Sequence, residues 1–173
     1  MKIVVSIVLG MASAAGLSAQ KSQIVASNGV TVDISGDDFA NRYEYTGPVV
    51  KFSEDNSNDQ MSFAFVAAIK KGEIPPKRFI TGVIYYRGDW HRYASAVFKG
   101  GDPAPFVNTS RNVLSCRYGC SYTEGFNMDI SADQIKKYSS DGVLQIQIRA
   151  QSSNTAIMSI PVSHFDAVAE ASR

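Results

Sequence analysis

Residues 120–130, CSYTEGFNMDI, alternate between two classes of side chain and decide the fold class. Cys120, Tyr122, Phe126 and Met128 fall on one face of an extended chain, and most of the residues between them are polar. Successive side chains of a β-strand point to opposite faces of its sheet. The stretch therefore predicts a strand that buries one face and exposes the other.

The same period of two recurs elsewhere along the chain. Residues 144–150 alternate Leu, Ile, Ile and Ala with Gln, Gln and Arg, and residues 61–69 are apolar on both faces, as expected of a central strand. Asn28-Gly29 and residues 152–154 carry hairpin turn chemistry. Many short strands with few helices predict a mainly β fold, an antiparallel sandwich of immunoglobulin-like or similar type, with a barrel as the second choice.

Two short helices interrupt this pattern. Ser131 is followed three residues later by Gln134, which is the spacing of a capping box, and the predicted helix runs to about Tyr138. It would be a crossover at one end of the sandwich. Ser163 can cap a second, C-terminal helix, with Asp166 in its first turn.

The first nineteen residues have the order of features typical of a secretory signal peptide. Lys2 precedes an apolar run over residues 3–11, and small residues follow as far as Ala19. The apolar run is shorter than the roughly 20 residues that a membrane span needs. We predict cleavage after Ala19, with Ala14 and an uncleaved membrane anchor as alternatives, and a single domain over residues 20–173 that is periplasmic or secreted.

Composition excludes several classes of partner from the prediction. The formal net charge of the chain is +1 and no basic stripe is visible, so neither nucleic acid nor an anionic membrane surface is an expected partner. The sequence after residue 19 contains no apolar run long enough to span a membrane, so insertion of the mature chain is not expected either. Histidine occurs twice, at His91 and His164, and no metal-ligand, phosphate-loop or serine-hydrolase motif is present. We expect no cofactor and no metal.

The two cysteines, Cys116 and Cys120, are separated by three residues. Residues 117–119 can form a hairpin loop with Gly119 in the left-handed conformation, which sets the cysteines opposite each other across two strands. An oxidising compartment then favours a disulfide between them. The alternative is thiol–disulfide or copper chemistry at this pair, for which the surrounding pattern gives little support.

Glu124 is the most unusual residue because it lies in phase with the buried face of its strand. A buried carboxylate needs a charged or hydrogen-bonding partner. In the register set by the cysteines, Asn112 lies opposite it, and Arg111 or Arg117 can also reach it. We regard Glu124 as a weak candidate for a catalytic acid; the alternative is a carboxylate at the sheet edge, or one turned outward by a bulge at Gly125.

The segment over residues 79–99 is rich in aromatic side chains. A Gly88-Asp89 turn predicts a hairpin in which Tyr86 pairs with His91. Four residues then form the outward tip of one face and are the predicted binding surface: Tyr85, Arg87, Trp90 and Arg92. The alternative is that these side chains only stabilise the hairpin, by aromatic and cation–π contacts.

These observations support two main functional hypotheses. The first is a non-enzymatic binding or accessory module of the cell envelope or medium, with a protein or glycan partner, since no catalytic constellation is visible. The second is a hydrolase acting on glycan or peptide that uses Glu124 with a histidine or with a second acid that the sequence does not identify.

Overall fold

The computed structural model describes residues 20–54, 61–117 and 119–173. Within them the chain is mainly β, with two antiparallel sheets packed together and two short helices, which confirms the predicted sandwich. One sheet curves into a half-barrel. The predicted signal peptide, residues 1–19, lies outside the described residues, as do residues 55–60.

The first sheet has eight strands in the order β1-β2-β3-β5-β6-β10-β9, with β4 paired to β5. Its strands are β1 (Gln20–Val25), β2 (Thr31–Asp37), β3 (Arg42–Thr46), β4 (Val50–Phe52), β5 (Ser62–Lys71), β6 (Ile74–Arg87), β9 (Val107–Ser115) and β10 (Ser121–Met128). Among the described residues, β1 and β9 are the two ends of this order.

The second sheet has five strands in the order β11-β12-β7-β8, with β13 paired to β12. Its strands are β7 (Tyr93–Phe98), β8 (Pro103–Ala104), β11 (Ser139–Ser140), β12 (Val143–Ala150) and β13 (Thr155–Pro161). The predicted hairpin at residues 152–154 is confirmed, because β12 and β13 pair across it and the Ala150 N–H donates to the Asn154 carbonyl oxygen at 2.9 Å.

The core lies between the inner faces of the two sheets. Alternate residues of β12 and of β10 are buried, as their sequence pattern predicts. Fully buried apolar side chains come from both sheets and include Val66, Ile80, Ile84, Phe126, Leu144, Ile146, Ile148 and Met158. Removal of this apolar surface from water is the main favourable contribution to folding.

The first helix, α1 (Ala132–Tyr138), is capped as predicted. The Ser131 hydroxyl accepts a hydrogen bond from the Gln134 N–H, and the Gln134 side chain accepts one from the Ser131 N–H, so the capping box is complete. The helix follows β10 of the first sheet and precedes β11 of the second. It is therefore the predicted crossover.

The second helix, α2 (Val162–Ala171), starts differently from the prediction. Its N-cap is Pro161 and not Ser163, and no side chain among the described residues caps it. β13 continues to Pro161, which pairs with Val143, so the strand passes directly into the helix. The Val162 N–H, which a cap would otherwise satisfy, donates to the Gly142 carbonyl oxygen at 2.8 Å.

The predicted hairpin over residues 79–99 is wrong. β6 pairs with β5 and β10 in the first sheet, whereas β7 pairs with β12 and β8 in the second. Residues 88–92 therefore cross from one sheet to the other. Gly88 has a φ of +107° and Arg92 a φ of +58°, and these left-handed residues turn the chain out of the plane of the first sheet.

None of the helices in the described part of the chain is long and apolar enough to cross a membrane.

Candidate functional site

Glu124 lies in the interior of the sandwich, with 1% of its side chain exposed. Its strand, β10, pairs with β6 on one side and β9 on the other, and its partner on β9 is Arg111. The prediction that Asn112 lies opposite Glu124 is wrong. A β-bulge between Ser121 and Tyr122 shifts the pairing of β10 with β9 by one residue. The register that we predicted from the cysteine pair therefore does not hold beyond this bulge.

The Glu124 carboxylate accepts hydrogen bonds from five donors. Oε1 accepts from the Tyr86 hydroxyl at 2.6 Å and from the Arg92 N–H at 2.9 Å. Oε2 accepts from the Tyr93 N–H at 3.1 Å, from Asn108 Nδ2 at 3.2 Å and from Arg111 Nε at 3.0 Å. A carboxylate offers about four lone-pair positions, so its accepting capacity is fully used.

Two of these donors belong to the backbone of the crossing segment. Because Arg92 and Tyr93 direct their N–H groups at one carboxylate, Glu124 fixes the point at which the chain enters the second sheet. The β12–β13 hairpin holds the same segment from the other side. The Gln151 N–H donates to the Arg92 carbonyl oxygen at 3.1 Å, and the Ser152 N–H donates to the His91 carbonyl oxygen at 3.3 Å.

A second buried carboxylate, Glu54, lies in the same region. His91 Nδ1 is 2.6 Å from Glu54 Oε1, and the Tyr93 hydroxyl donates to the same oxygen. The His91 ring stacks on the Tyr86 ring, with centroids 4.0 Å apart and an interplanar angle of 11°. Tyr86 therefore connects the two carboxylates, since its hydroxyl binds Glu124 and its ring covers His91.

Burial raises the pKa of the Tyr86 and Tyr93 hydroxyls well above the usual range. In each case a hydrogen bond to a carboxylate, Glu124 for Tyr86 and Glu54 for Tyr93, raises the pKa further. The phenolate forms would be desolvated and would face a negative charge. Both tyrosines therefore stay neutral donors under ordinary conditions.

Glu54 is a residue whose role sequence reasoning missed. It lies in the polar stretch over residues 53–60, whose composition predicts an exposed loop, yet only 10% of its side chain is exposed. Its backbone forms an antiparallel bridge with Ala156 on β13, so residue 54 leaves the first sheet and meets the second. A pairing over such a sequence separation leaves no local signal.

An open pocket of about 390 Å³ lies outside this network. It is lined by Trp90, Arg92, Arg111 and Gln151. The Arg111 side chain is 43% exposed; it donates from Nε to Glu124 and, at 3.4 Å, from Nη2 to the Tyr93 carbonyl oxygen. Arg92 is exposed, and its side chain has no hydrogen bond or ion pair within the described residues.

The structure divides the predicted binding surface in two. Trp90 and Arg92 line the pocket, where Trp90 is half-buried and its ring lies 4.5 Å from that of Tyr122. Tyr85 and Arg87 are not among the pocket-lining residues; they lie two apart on β6, and Arg87 Nε donates to the Tyr85 hydroxyl at 3.0 Å. Arg111 reaches the pocket from β9 and Gln151 from the turn between β12 and β13, and the sequence contains no local signal for that.

A larger pocket, of about 660 Å³, lies on β1, β2 and β3. Its lining mixes both charges, and the Gln23 side chain already donates to Asp33 at 2.7 Å. The smaller pocket is lined by two arginines and a tryptophan, and no acidic residue lines it in the part of the chain that the structure describes. We therefore take the smaller pocket as the candidate site.

The remaining predicted residues lie elsewhere. His164 is in α2, which packs against β2, β3, β5 and β13, and no hydrogen bond of Glu124 involves it. Burial lowers the pKa of the His164 imidazole. The predicted disulfide joins Cys116 and Cys120 at the β9–β10 hairpin, and no group of three or more potential metal ligands occurs among the residues that the structure describes.

No family model, no curated protein and no solved structure matches this chain.

Proposed function

We propose that the protein is an exported, non-enzymatic binding module that captures a carboxylate-bearing ligand in the pocket of Trp90, Arg92, Arg111 and Gln151. The observation that carries this proposal is the convergence of two arginines and the indole on one open pocket. Guanidinium groups bind carboxylates through charge-assisted hydrogen bonds, often in pairs.

The charges around the pocket favour an anion. Arg111 is already paired with Glu124, so its charge is partly balanced, but its side chain is 43% exposed and still lines the pocket. Arg92 has no ion pair among the described residues. The positive charge of Arg92 is thus not balanced by a neighbouring acidic group in the described part of the chain, and a ligand with a single carboxylate would balance it.

Trp90 adds an apolar contact beside the charged groups. Its half-buried indole packs on Tyr122, which holds the ring in place before a ligand arrives. A pre-positioned aromatic side chain loses little conformational entropy on binding and contributes a large contact area.

The hydrogen bonding of Glu124 supports binding over catalysis. A general acid must hold a proton and release it to a substrate, yet both carboxylate oxygens of Glu124 are occupied by donors and the side chain is buried. Its arrangement orients Arg111 and fixes the backbone of Arg92. The Cys116–Cys120 disulfide fits export to an oxidising compartment.

The pocket can be tested with two small probes, N-acetyl-glutamate amide and methyl glucuronide, which separate a peptide source of the carboxylate from a glycan source. Trp90 is the single tryptophan of the chain, so fluorescence excited selectively at tryptophan reports on the surroundings of this one ring. We expect one probe to change this fluorescence with a dissociation constant of about 1 mM. Arg92→Asn should weaken that binding about ten-fold, since it removes a charge-assisted pair while asparagine tolerates the left-handed backbone.

The matched control is Arg78→Asn, which removes the same charge from an exposed position nine residues before Arg87 on β6. It should leave the affinity unchanged. If neither probe alters the fluorescence, or if both variants weaken binding equally, the pocket is not a carboxylate site. The hydrolase hypothesis would then rest on His91, which Glu54 holds through Nδ1.

A further inference from the structure

We infer that the ligand carboxylate belongs to an extended peptide, which pairs with the free edge of β9 and places an acidic side chain beside Arg111. This inference rests on the proposed function. It adds the class of partner and the way in which the partner binds.

The edge of β9 is long and exposed. The strand has nine residues, and among the described residues it pairs with β10 alone. It contains no proline, and Arg111 is its single charged residue. Its apolar side chains are exposed, with Val107 at 62%, Val113 at 53% and Leu114 at 57%. Such an edge presents unpaired N–H and C=O groups that can pair with another strand.

The edges of the second sheet are better protected. β8 has two residues and begins with Pro103, which has no N–H to donate. The outer side of β13 meets Glu54, which bridges Ala156. The other end of the first sheet, β1, has six residues and also pairs with a single strand among the described residues, but it does not line the arginine pocket. Among the described strands, β9 is thus the longer of these two open edges and the one that carries a pocket residue.

The register of β9 links this edge to the pocket. Arg111 pairs with Glu124 and Val113 pairs with Tyr122, and both partners are buried, so Arg111 and Val113 point to the inner face. Cβ atoms of directly opposed residues in adjacent antiparallel strands lie about 5 Å apart. Arg111 Nε is turned toward Glu124, so a residue paired with Arg111 from outside must extend a long acidic side chain over the inner face to meet the guanidinium group. A residue paired with Val113 would cover its exposed side chain.

This geometry defines the chemistry of the partner. We expect an acidic residue opposite Arg111 and an apolar residue two positions away, opposite Val113, with polar residues between them. The backbone pairing supplies affinity that does not depend on sequence, and the Arg92–Arg111 pocket selects the acidic residue.

The test uses the protein as isolated from expressing cells and the peptide acetyl-Val-Thr-Glu-Thr-Val-amide, whose palindromic pattern fits either strand direction. We expect it to bind at least about ten-fold more tightly than N-acetyl-glutamate amide, because it adds backbone hydrogen bonds and apolar contact. Amide NMR signals of Val107–Ser115 should shift together with the Trp90 fluorescence. Replacing the peptide's glutamate with glutamine should weaken binding about ten-fold.

N-methylated peptides distinguish strand pairing from simple contact. One version is methylated on the valine and glutamate nitrogens and the other on the threonine nitrogens, and only alternate N–H groups of an added strand face its neighbour. One version should therefore lose binding while the other retains it. Equal behaviour of the two versions would overturn strand addition.

The outcomes separate the two proposals. If N-acetyl-glutamate amide binds at Trp90 but the peptide binds no more tightly and leaves the β9 amides unshifted, strand addition is wrong and the carboxylate site stands. If neither probe changes the Trp90 signal, both proposals fail.

Discussion

Glu124 is a buried charge that the fold uses to join separate pieces of chain. Its five donors come from β6, from the crossing segment, from the start of β7 and from β9. Replacement of one partner in such an arrangement leaves the others buried and unpaired, which costs more free energy than the pair itself contributes.

Glu124→Gln should therefore lower the free energy of unfolding by about 3 kcal/mol. The amide nitrogen would face donors in place of an acceptor, although the side chain keeps its shape. Urea unfolding followed by circular dichroism measures the loss, and Gln145→Glu, an exchange of the same two residue types on the outward face of β12, is the matched control. A loss for Glu124→Gln no larger than that of the control would show that the five hydrogen bonds contribute little to stability.

The alternation of apolar residues predicted that Glu124 faces the interior, and this is confirmed. The same reasoning could not predict most of its partners. The N–H groups of Arg92 and Tyr93 reach it only because the chain changes sheets there, and Arg111 stands opposite it only because of a bulge near the cysteines. Hydrogen bonds made by backbone groups leave no mark in the side-chain pattern.

At the level of the element, β6 depends on one close approach. A Cβ atom at Gly82 would lie 2.5 Å from the Phe63 carbonyl oxygen, 2.7 Å from Phe126 Cζ and 2.9 Å from Ala64 Cβ. The first of these is backbone of the neighbouring strand β5, which cannot rotate away. Glycine at this position lets β5, β6 and β10 pack closely in the middle of the first sheet.

Gly82→Ala should destabilise the domain by about 3 kcal/mol, because strand backbone must move to relieve the contact. Gly125→Ala is the comparison. Its Cβ would meet the hydroxyl ends of Ser110 and Thr109, which can rotate away, so a loss of about 1 kcal/mol is expected. Urea midpoints of the two variants give the order, and an equal loss would contradict the argument from close packing.

The elements themselves were easier to predict than their pairing. The strand β10, the β12–β13 hairpin and the capped helix α1 follow from periodicity, turn residues and the Ser131–Gln134 spacing. The segment over residues 79–99 has the same hairpin signals but divides between two sheets. Turn residues specify a local bend; they do not specify which sheet the next strand joins.

On the scale of the whole molecule, two carboxylate–tyrosine contacts lie in the seam between the two sheets: Tyr86 with Glu124 inside the first sheet, and Tyr93 of the second sheet with Glu54. Tyr86 of the first sheet meets Tyr93 of the second, with ring centroids 6.0 Å apart, and each hydroxyl donates to a buried carboxylate. The class of fold follows from sequence because it needs only the alternation of many strands. This seam does not, because it depends on how two sheets meet.

The two tyrosines of the seam should make the free energy of unfolding decrease at alkaline pH. Both tyrosine pKa values are raised in the folded state, by burial first and by the hydrogen bond to a carboxylate second. Below pH 10 the tyrosines are protonated in folded and unfolded chains alike, and their contribution to stability is complete. Above pH 10 the unfolded chain releases these protons while the folded chain keeps them, so stability falls by about 1.4 kcal/mol per pH unit for each tyrosine.

Tyr93→Phe isolates this contribution. The variant loses the hydrogen bond to Glu54, so it should be less stable than the wild type at pH 8, but its stability should fall less steeply above pH 10 because one of the two retained protons is gone. Urea unfolding at pH 8, 10 and 11 measures both slopes, and the lysines, which also titrate there, are common to both chains. Parallel slopes would mean that Tyr93 ionises as readily in the folded protein as in the unfolded chain, and that the seam is open to water.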